Sequence, residues 1–154
     1  MNCNYKWHTN VKVTIFDLDG NIIDVQEFHN LITTVGLGMI IDLLDGGIDD
    51  GEIKYMALGS NAAAPALANT QLGTETFRKA MTTQTQPTTT SLLSTVYVAP
   101  DENAVQIEEI GWFAGLGATA AADSGILVSR VLYSRLKTVL ESILVERTDT
   151  IVEG

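Results

Sequence analysis

Apolar and polar positions alternate along most of this chain. Val11, Val13 and Ile15 fall on one side of an extended run and Lys12, Thr14 and Phe16 on the other, which predicts a strand over 11–18. Asp19-Gly20 separates that run from Ile22–Phe28. Asp-Gly between two β-rich runs predicts a hairpin over 11–29, closed by a type I′ turn that needs positive φ. His29 to Thr33 continues in extended form. The pattern then changes period. Leu37, Ile40, Ile41 and Leu44 recur at helical spacing and predict one short α-helix near residues 36–45, with Gly46-Gly47 as its C-cap and turn.

Further strands are predicted over 53–58, 92–99, 104–113 and 126–134, with Gly111 as a candidate bulge. Residues 82–91, TTQTQPTTTS, are too polar for a core; Pro87 favours an edge strand or a loop there. The segment 139–147 carries a mixed signal. Its Glu and Leu residues suit a helix, but it lies among strands and leads into Thr148–Val152, so we read a strand. About eight short strands with Gly, Pro and Asn turns predict a mainly β fold, an antiparallel β-sandwich or jelly-roll-like barrel. No repeat or internal boundary interrupts it, so 11–154 is expected to form a single domain. Residues 1–10 are expected to form an N-terminal arm. It is either a loosely held terminus or an arm that docks on a neighbouring subunit through Tyr5 and Trp7.

Composition narrows the function classes. The chain has 154 residues, 45% of them hydrophobic, and a net charge of −10. Phosphate backbones need a basic footprint, so nucleic acid is not an expected partner. No apolar run approaches the length needed to cross a bilayer, so no membrane association is expected. Cys3 is the single cysteine, which leaves no internal disulfide framework. The N-terminus lacks the apolar core of a signal peptide, and a cytoplasmic origin is expected.

One motif suggests chemistry. Phe16-Asp17-Leu18-Asp19-Gly20-Asn21 resembles the first motif of the haloacid dehalogenase phosphatases, a hydrophobic strand followed by Asp-x-Asp-Gly-Thr. That resemblance implies a Mg²⁺-dependent enzyme with Asp17 as nucleophile and Asp19 as general acid and base. Ser60 and Lys79 would bind phosphate. Asn21 departs from the family's Thr, and no crossover helices follow, which a parallel sheet would require. Asp and Gly are also the residues a hairpin turn selects, and the hairpin is the reading we adopt. Asp17, Asp19, Asn21 and Asp24, or Asp45, Asp49, Asp50 and Glu52, offer oxygen ligands for Ca²⁺ but lack the twelve-residue loop spacing. His8 and His29 have no partner for a zinc site. No catalytic, metal or cofactor site is therefore expected.

The ordered set of segments has a wider likeness. A hairpin ending Asp-Gly-Asn-Ile-Ile-Asp is followed by a short helix, the strand Ile53–Gly59, and Leu72-Gly73-Thr74-Glu75-Thr76-Phe77-Arg78-Lys79. Ile107–Phe113, Ile126–Val131 and Lys137-Thr138 come next. In this order they resemble small structural proteins of tailed-bacteriophage virions, described as capsid decoration, head-fibre or tail-fibre-like proteins. The resemblance implies a non-enzymatic virion protein assembled in the host cytoplasm. It would be a homo-oligomer, often a trimer, that binds the major capsid protein or tail components. Interface candidates are then Tyr5, Trp7, Phe77, Arg78, Trp112 and Phe113. For Trp112, Phe113, Tyr133 and Phe77 a core position is the expected one, with interface anchors as the alternative.

Overall fold

A computed structural model describes residues 4–154. Met1 to Cys3, the start of the expected arm, lie outside the described residues. The elements are β1 (Tyr5–Asp17), β2 (Ile22–His29), β3 (Leu31–Ile32), α1 (Thr34–Asp45), β4 (Ile53–Gly59) and β5 (Glu75–Ala80). They continue with β6 (Thr83–Thr88), β7 (Ser91–Val98), β8 (Gln106–Ala114), β9 (Ile126–Leu136) and β10 (Glu141–Glu153). The strands form two antiparallel five-stranded sheets, β2-β1-β10-β7-β6 and β3-β9-β8-β4-β5. They pack face to face as a β-sandwich.

The spine is the pair β1 and β10, antiparallel from Tyr5 opposite Glu153 to Asp17 opposite Glu141. Residues 5–10 therefore belong to a sheet instead of an arm. Their backbone groups find partners along β10, which an unsupported terminus would leave to water. The β1–β2 hairpin forms as expected, but by another turn. Asp17 accepts from the Gly20 amide at 3.2 Å, Asn21 accepts from the Asp17 amide at 2.9 Å, and only Gly20 has positive φ, 83°. That is a type I turn followed by a left-handed glycine, centred on Leu18-Asp19 and one residue longer than a type I′ loop.

The chain changes sheet at both sides of the sandwich. β2 closes one edge of the first sheet and, after Asn30, β3 begins an edge of the second. On the other side, Met81 donates to Lys54 O of one sheet and Thr82 to Thr95 O of the other, carrying β5 directly into β6. β6 is the Thr/Gln-rich segment, an edge strand that includes Pro87, and there its missing N–H costs no ladder bond. The segment read with mixed signal is β10; its start moves to Glu141 because Val139 and Leu140 form the turn after β9.

Inward-facing Val11, Val13 and Ile15 of β1 meet Ile143 and Val145 of β10, Val96 and Val98 of β7, and Met56, Leu58, Ile110 and Trp112 of the opposite sheet. Burying each such side chain contributes about 1.5–3 kcal/mol. A second apolar layer lies on the outer face of the β8–β9 sheet. There Leu72 and Ala118, from the loops 60–74 and 115–125, cover Ala57, Phe113 and Leu127. Register shifts in β8 fall between Ile107 and Glu109 and between Trp112 and Phe113, not at Gly111. Gly111 has another use: a Cβ there would lie 2.6 Å from Leu72 Cδ2, so its smallness lets the loop seat.

α1 lies across β9. Thr33 caps it, its hydroxyl accepting from the Gly36 amide at 3.0 Å, and Gly46 ends it with φ 76°. Gly36 is what brings the helix close. A Cβ at that position would stand 2.5 Å from Val128 O and 2.9 Å from Val128 Cα, both backbone atoms that cannot yield. Gly36→Ala is expected to cost about 1–3 kcal/mol by overpacking. Gly38→Ala, with nothing within 4 Å of the added carbon, is expected to be neutral or stabilising by up to about 1 kcal/mol. Urea denaturation of the two variants checks this; equal midpoints would show that the close approach carries no energy.

Candidate functional site

Most of the charge on this chain holds loops and sheets together. Glu109 and Arg130, on adjacent strands, form an ion pair at 2.6 Å with side chains 0% and 3% exposed. Glu109 also accepts from the amides of Gly73 (3.0 Å), Thr74 (2.9 Å) and Asn61 (3.3 Å). Arg130 donates to the carbonyls of Asn61, Ala63 and Ala64 and to Asn69 Oδ1. Together they fasten the loop 60–74 over the sheet. Arg78 does the same for the loop 115–125. It pairs with Glu75 at 2.7 Å, donates to Thr119 O and Ser124 O, and stacks 4.0 Å from the Phe113 ring centroid.

A third network crosses between the sheets. Arg147 binds Asp149 at 2.7 and 2.8 Å, donates to Ser129 Oγ on β9, and lies 5.1 Å from the Trp112 ring centroid. Asp149 also accepts from Trp7 Nε1 at 2.8 Å and Thr9 Oγ1 at 3.1 Å. Arg78 and Arg130 thus pair inside the chain, where burial removes the competition from water that weakens surface pairs.

The interface candidates therefore divide. Trp112 and Phe113 are fully buried in the monomer, and Phe77 packs partly buried against the core. Arg78 is enclosed by its ion pair and the 115–125 loop. Trp7 is half-buried and committed to Asp149. Tyr5 alone of the set is widely exposed, at 72%. Trp112 and Phe113 thus take the expected core positions and Arg78 is spent within the chain, which leaves Tyr5, Trp7 and the exposed part of Phe77 as the accessible surface of the set.

The Asp17 motif is a turn. Asp17 Oδ1 accepts from the amides of Asp19 and Asn21, and Oδ2 accepts from Asn21 Nδ2. The Asn21 side-chain bond, then the backbone bonds, hold the Asp17 carboxyl below its usual value. The carboxylate thus acts as the hydrogen-bonding hub of an antiparallel hairpin, not as the end of a parallel strand. Lys79 pairs with Glu102 at 2.6 Å on the other sheet's edge. No group of three or more His, Cys, Asp or Glu side chains arranged to hold a metal occurs among the described residues. If the hairpin is all that Asp17 serves, Mg²⁺-dependent release of phosphate from p-nitrophenyl phosphate will be the same for the wild type and Asp17→Asn. A release lost in Asp17→Asn would restore the phosphatase reading.

Tyr133, stacked edge-on against Phe28 at 5.8 Å, has no hydrogen-bond partner for its buried hydroxyl among the described residues. Burial pushes it from 10 up to about 12. The folded chain then keeps a proton that the unfolded chain releases, so stability falls as pH rises from about 10 to about 12. Tyr133→Phe is expected to remove that part of the alkaline loss in urea melts; an unchanged slope would contradict it.

Exposed apolar side chains gather at the two ends of the sandwich, with Leu67 and Leu116 standing apart on the loops over the second sheet. At one end, the turns between β1 and β2 and between β9 and β10 expose Leu18, Ile22, Ile23, Leu136, Val139 and Leu140, each by more than half. The strand registers place these turns side by side: Asp17 faces Glu141, and Gln106 faces Leu136. Asp17, Asp19 and Asp101 surround this tip, where Lys137 is buried against Pro100 O and Arg135 is paired to Glu141 and Asp24. At the opposite end, α1 and the ends of β1, β10, β7 and β6 enclose an apolar groove of about 720 Å³. Leu37 and Ile41 of α1 form one wall and Tyr5, Leu92 and Ile151 the other. No helix among the described residues is long and apolar enough to cross a membrane. No family model matches the chain, and neither a curated protein nor a solved structure matches it.

Sequence reading missed the groove. The helical period of Leu37, Ile40, Ile41 and Leu44 was visible, but it marks both faces. Gly36 and Met39 are buried, while Leu37, Ile41 and Leu44 are 48%, 61% and 79% exposed. The available signal was that α1 has only Asp42 and Asp45 as charges. A helix so apolar on a small domain has more apolar face than one core can cover.

Proposed function

We propose that this chain is a non-enzymatic structural protein of a tailed-phage particle, a capsid decoration protein that stabilises the shell through subunit contacts. The observation that carries the assembly role is the placement of exposed apolar side chains at the two ends of a rigid sandwich. Single exposed apolar residues are ordinary; six on neighbouring turns form a patch of the kind that marks interaction sites. The virion setting rests on the ordered sequence resemblance. The tip's unpaired carboxylates suit an apolar shell surface rimmed by Lys and Arg, since opposite charges at the rim steer docking and the apolar centre supplies affinity. Such a protein stabilises by mass action, binding the assembled shell and not the separated subunits.

The tail-fibre, neck or baseplate adaptor role is the other place in a particle that the resemblance allows. Adding the purified protein back to shells that lack it distinguishes them. A decoration protein raises the shell's melting temperature in a saturable way, and Leu140→Glu at the tip weakens that rise at least tenfold in concentration. Absence of binding to intact shells would exclude decoration.

A further inference from the structure

We propose that the groove beside α1 binds a small uncharged molecule with an apolar body and a hydroxyl-bearing end, of the class of a medium-chain alcohol. The inference goes beyond the structural-protein reading and does not rest on it. The groove holds about 720 Å³, within the roughly 300–1,000 Å³ that small-molecule sites occupy. Its apolar lining is far smaller than a standard protein interface, so a small molecule is the occupant of matching size. The walls are held apart. Gly36 seats α1 on the Val128 backbone and Thr33 caps it, so the helix is anchored to the second sheet and does not fold down onto the first. On the first sheet, the Trp7 indole is fixed by its bond to Asp149 at 2.8 Å. Leu37 and Ile41 on one wall and Trp7 and Ile151 on the other line the space between. Water there meets apolar surface on both sides, and a molecule that displaces it needs no rearrangement of the protein.

Charge sets the ligand class. Gln84, Gln86, Thr89 and Thr90 supply neutral amides and hydroxyls along one side, which suit an end group that both donates and accepts. Among the described residues no free cation faces the groove. Lys54 is paired with Asp50 at 2.6 Å, and Arg147 is spent on Asp149. The Lys6 stem runs beside Gly154, on the other face of the sheet. Glu52 lies at the rim, exposed and without an ion-pair partner among the described residues. A carboxylate head would meet Glu52 and lose water without gaining a cation, so a fatty acid is disfavoured against the alcohol of the same chain length. A single solvated carboxylate at the rim is in turn a weak anchor for a cationic head.

Titration with the neutral fluorescent probe N-phenylnaphthylamine, followed by its displacement, tests this. Probe emission is expected to rise saturably with one site per chain. Decanol is expected to displace the probe at a concentration at least tenfold lower than decanoate does at neutral pH, and Glu52→Gln to narrow that gap. Ile41→Glu, at a position 61% exposed, is expected to weaken probe binding at least tenfold with unchanged circular dichroism. Leu140→Glu at the tip is expected to leave binding as it is. The absence of a saturable signal overturns the inference. So does a signal that Ile41→Glu leaves intact, or one that Leu140→Glu abolishes. Displacement by decanoate as effective as that by decanol overturns the ligand class, and a gap unchanged in Glu52→Gln overturns the role given to Glu52. None of these outcomes bears on docking through the tip.

Discussion

Arg130→Met should lower the stability of this protein by about 3–5 kcal/mol, the usual cost of breaking a buried pair from one side. The expectation follows from what the substitution leaves behind. Glu109 has no exposed surface, and the guanidinium is its only cationic partner among the described residues. The amides of Gly73, Thr74 and Asn61 would still reach the carboxylate. They do so only while the loop 60–74 stays closed, and closure depends on Arg130 gripping Asn61 O and Ala63 O at 3.3 and 2.8 Å. The loss should therefore appear twice: as a lower urea midpoint, and as proteolytic cleavage within 60–74 at a protein concentration where the wild type resists. Glu109→Gln paired with Arg130→Met should recover part of the loss, because no isolated charge is then buried. A single-variant cost below about 1 kcal/mol would mean that the loop is held by Leu72 packing alone.

Asp149→Ala should cost a similar amount, about 3–5 kcal/mol, through a different failure. Arg147 has no exposed surface, and among the described residues it is neutralised by Asp149 alone. Removing that carboxylate leaves the guanidinium between the sheets with Ser129 Oγ and the Trp112 face, and neither carries a full negative charge. It also frees Trp7 Nε1 and Thr9 Oγ1 at the start of β1. For a domain of this length, roughly 10 °C of melting temperature is at stake. Trp7 fluorescence should shift toward that of an exposed indole, since its one polar anchor is gone. Trp7→Phe, which removes only the outer hydrogen bond, should cost about 1 kcal/mol. If Asp149→Ala and Trp7→Phe were equal, the pairing with Arg147 would contribute nothing.

The two networks also show where the sequence stops being readable. The strands were legible because alternation at period two reports a half-buried sheet directly, as at Val11, Val13 and Ile15. The hairpin was legible from Asp19-Gly20, although the turn that forms uses glycine in its left-handed position alone. Glu109 and Arg130 were not legible. Each sits at a polar position of an alternating strand, so each reads as solvent-facing. Both are buried because the loop 60–74 folds back over that face, and nothing in SNAAAPALANTQ, small or polar except for Leu67, announces a lid. Phe113 was legible as core, but its cover by Ala118 and Arg78 on the outer face of the sheet was not. Residues 5–10 read as an arm because their partner, β10, lies some 140 residues away in sequence, beyond the reach of any local pattern.

The reading as a virion component is tested most directly by counting. Particles of the parent virus, purified on a density gradient, would be digested whole, and this protein quantified against the major capsid protein by mass spectrometry. The account predicts a copy number comparable to that of the shell subunit, as a decoration protein bound across the surface requires. A small fixed ratio would move the protein to the tail, neck or fibre. Its absence from intact particles would contradict the account.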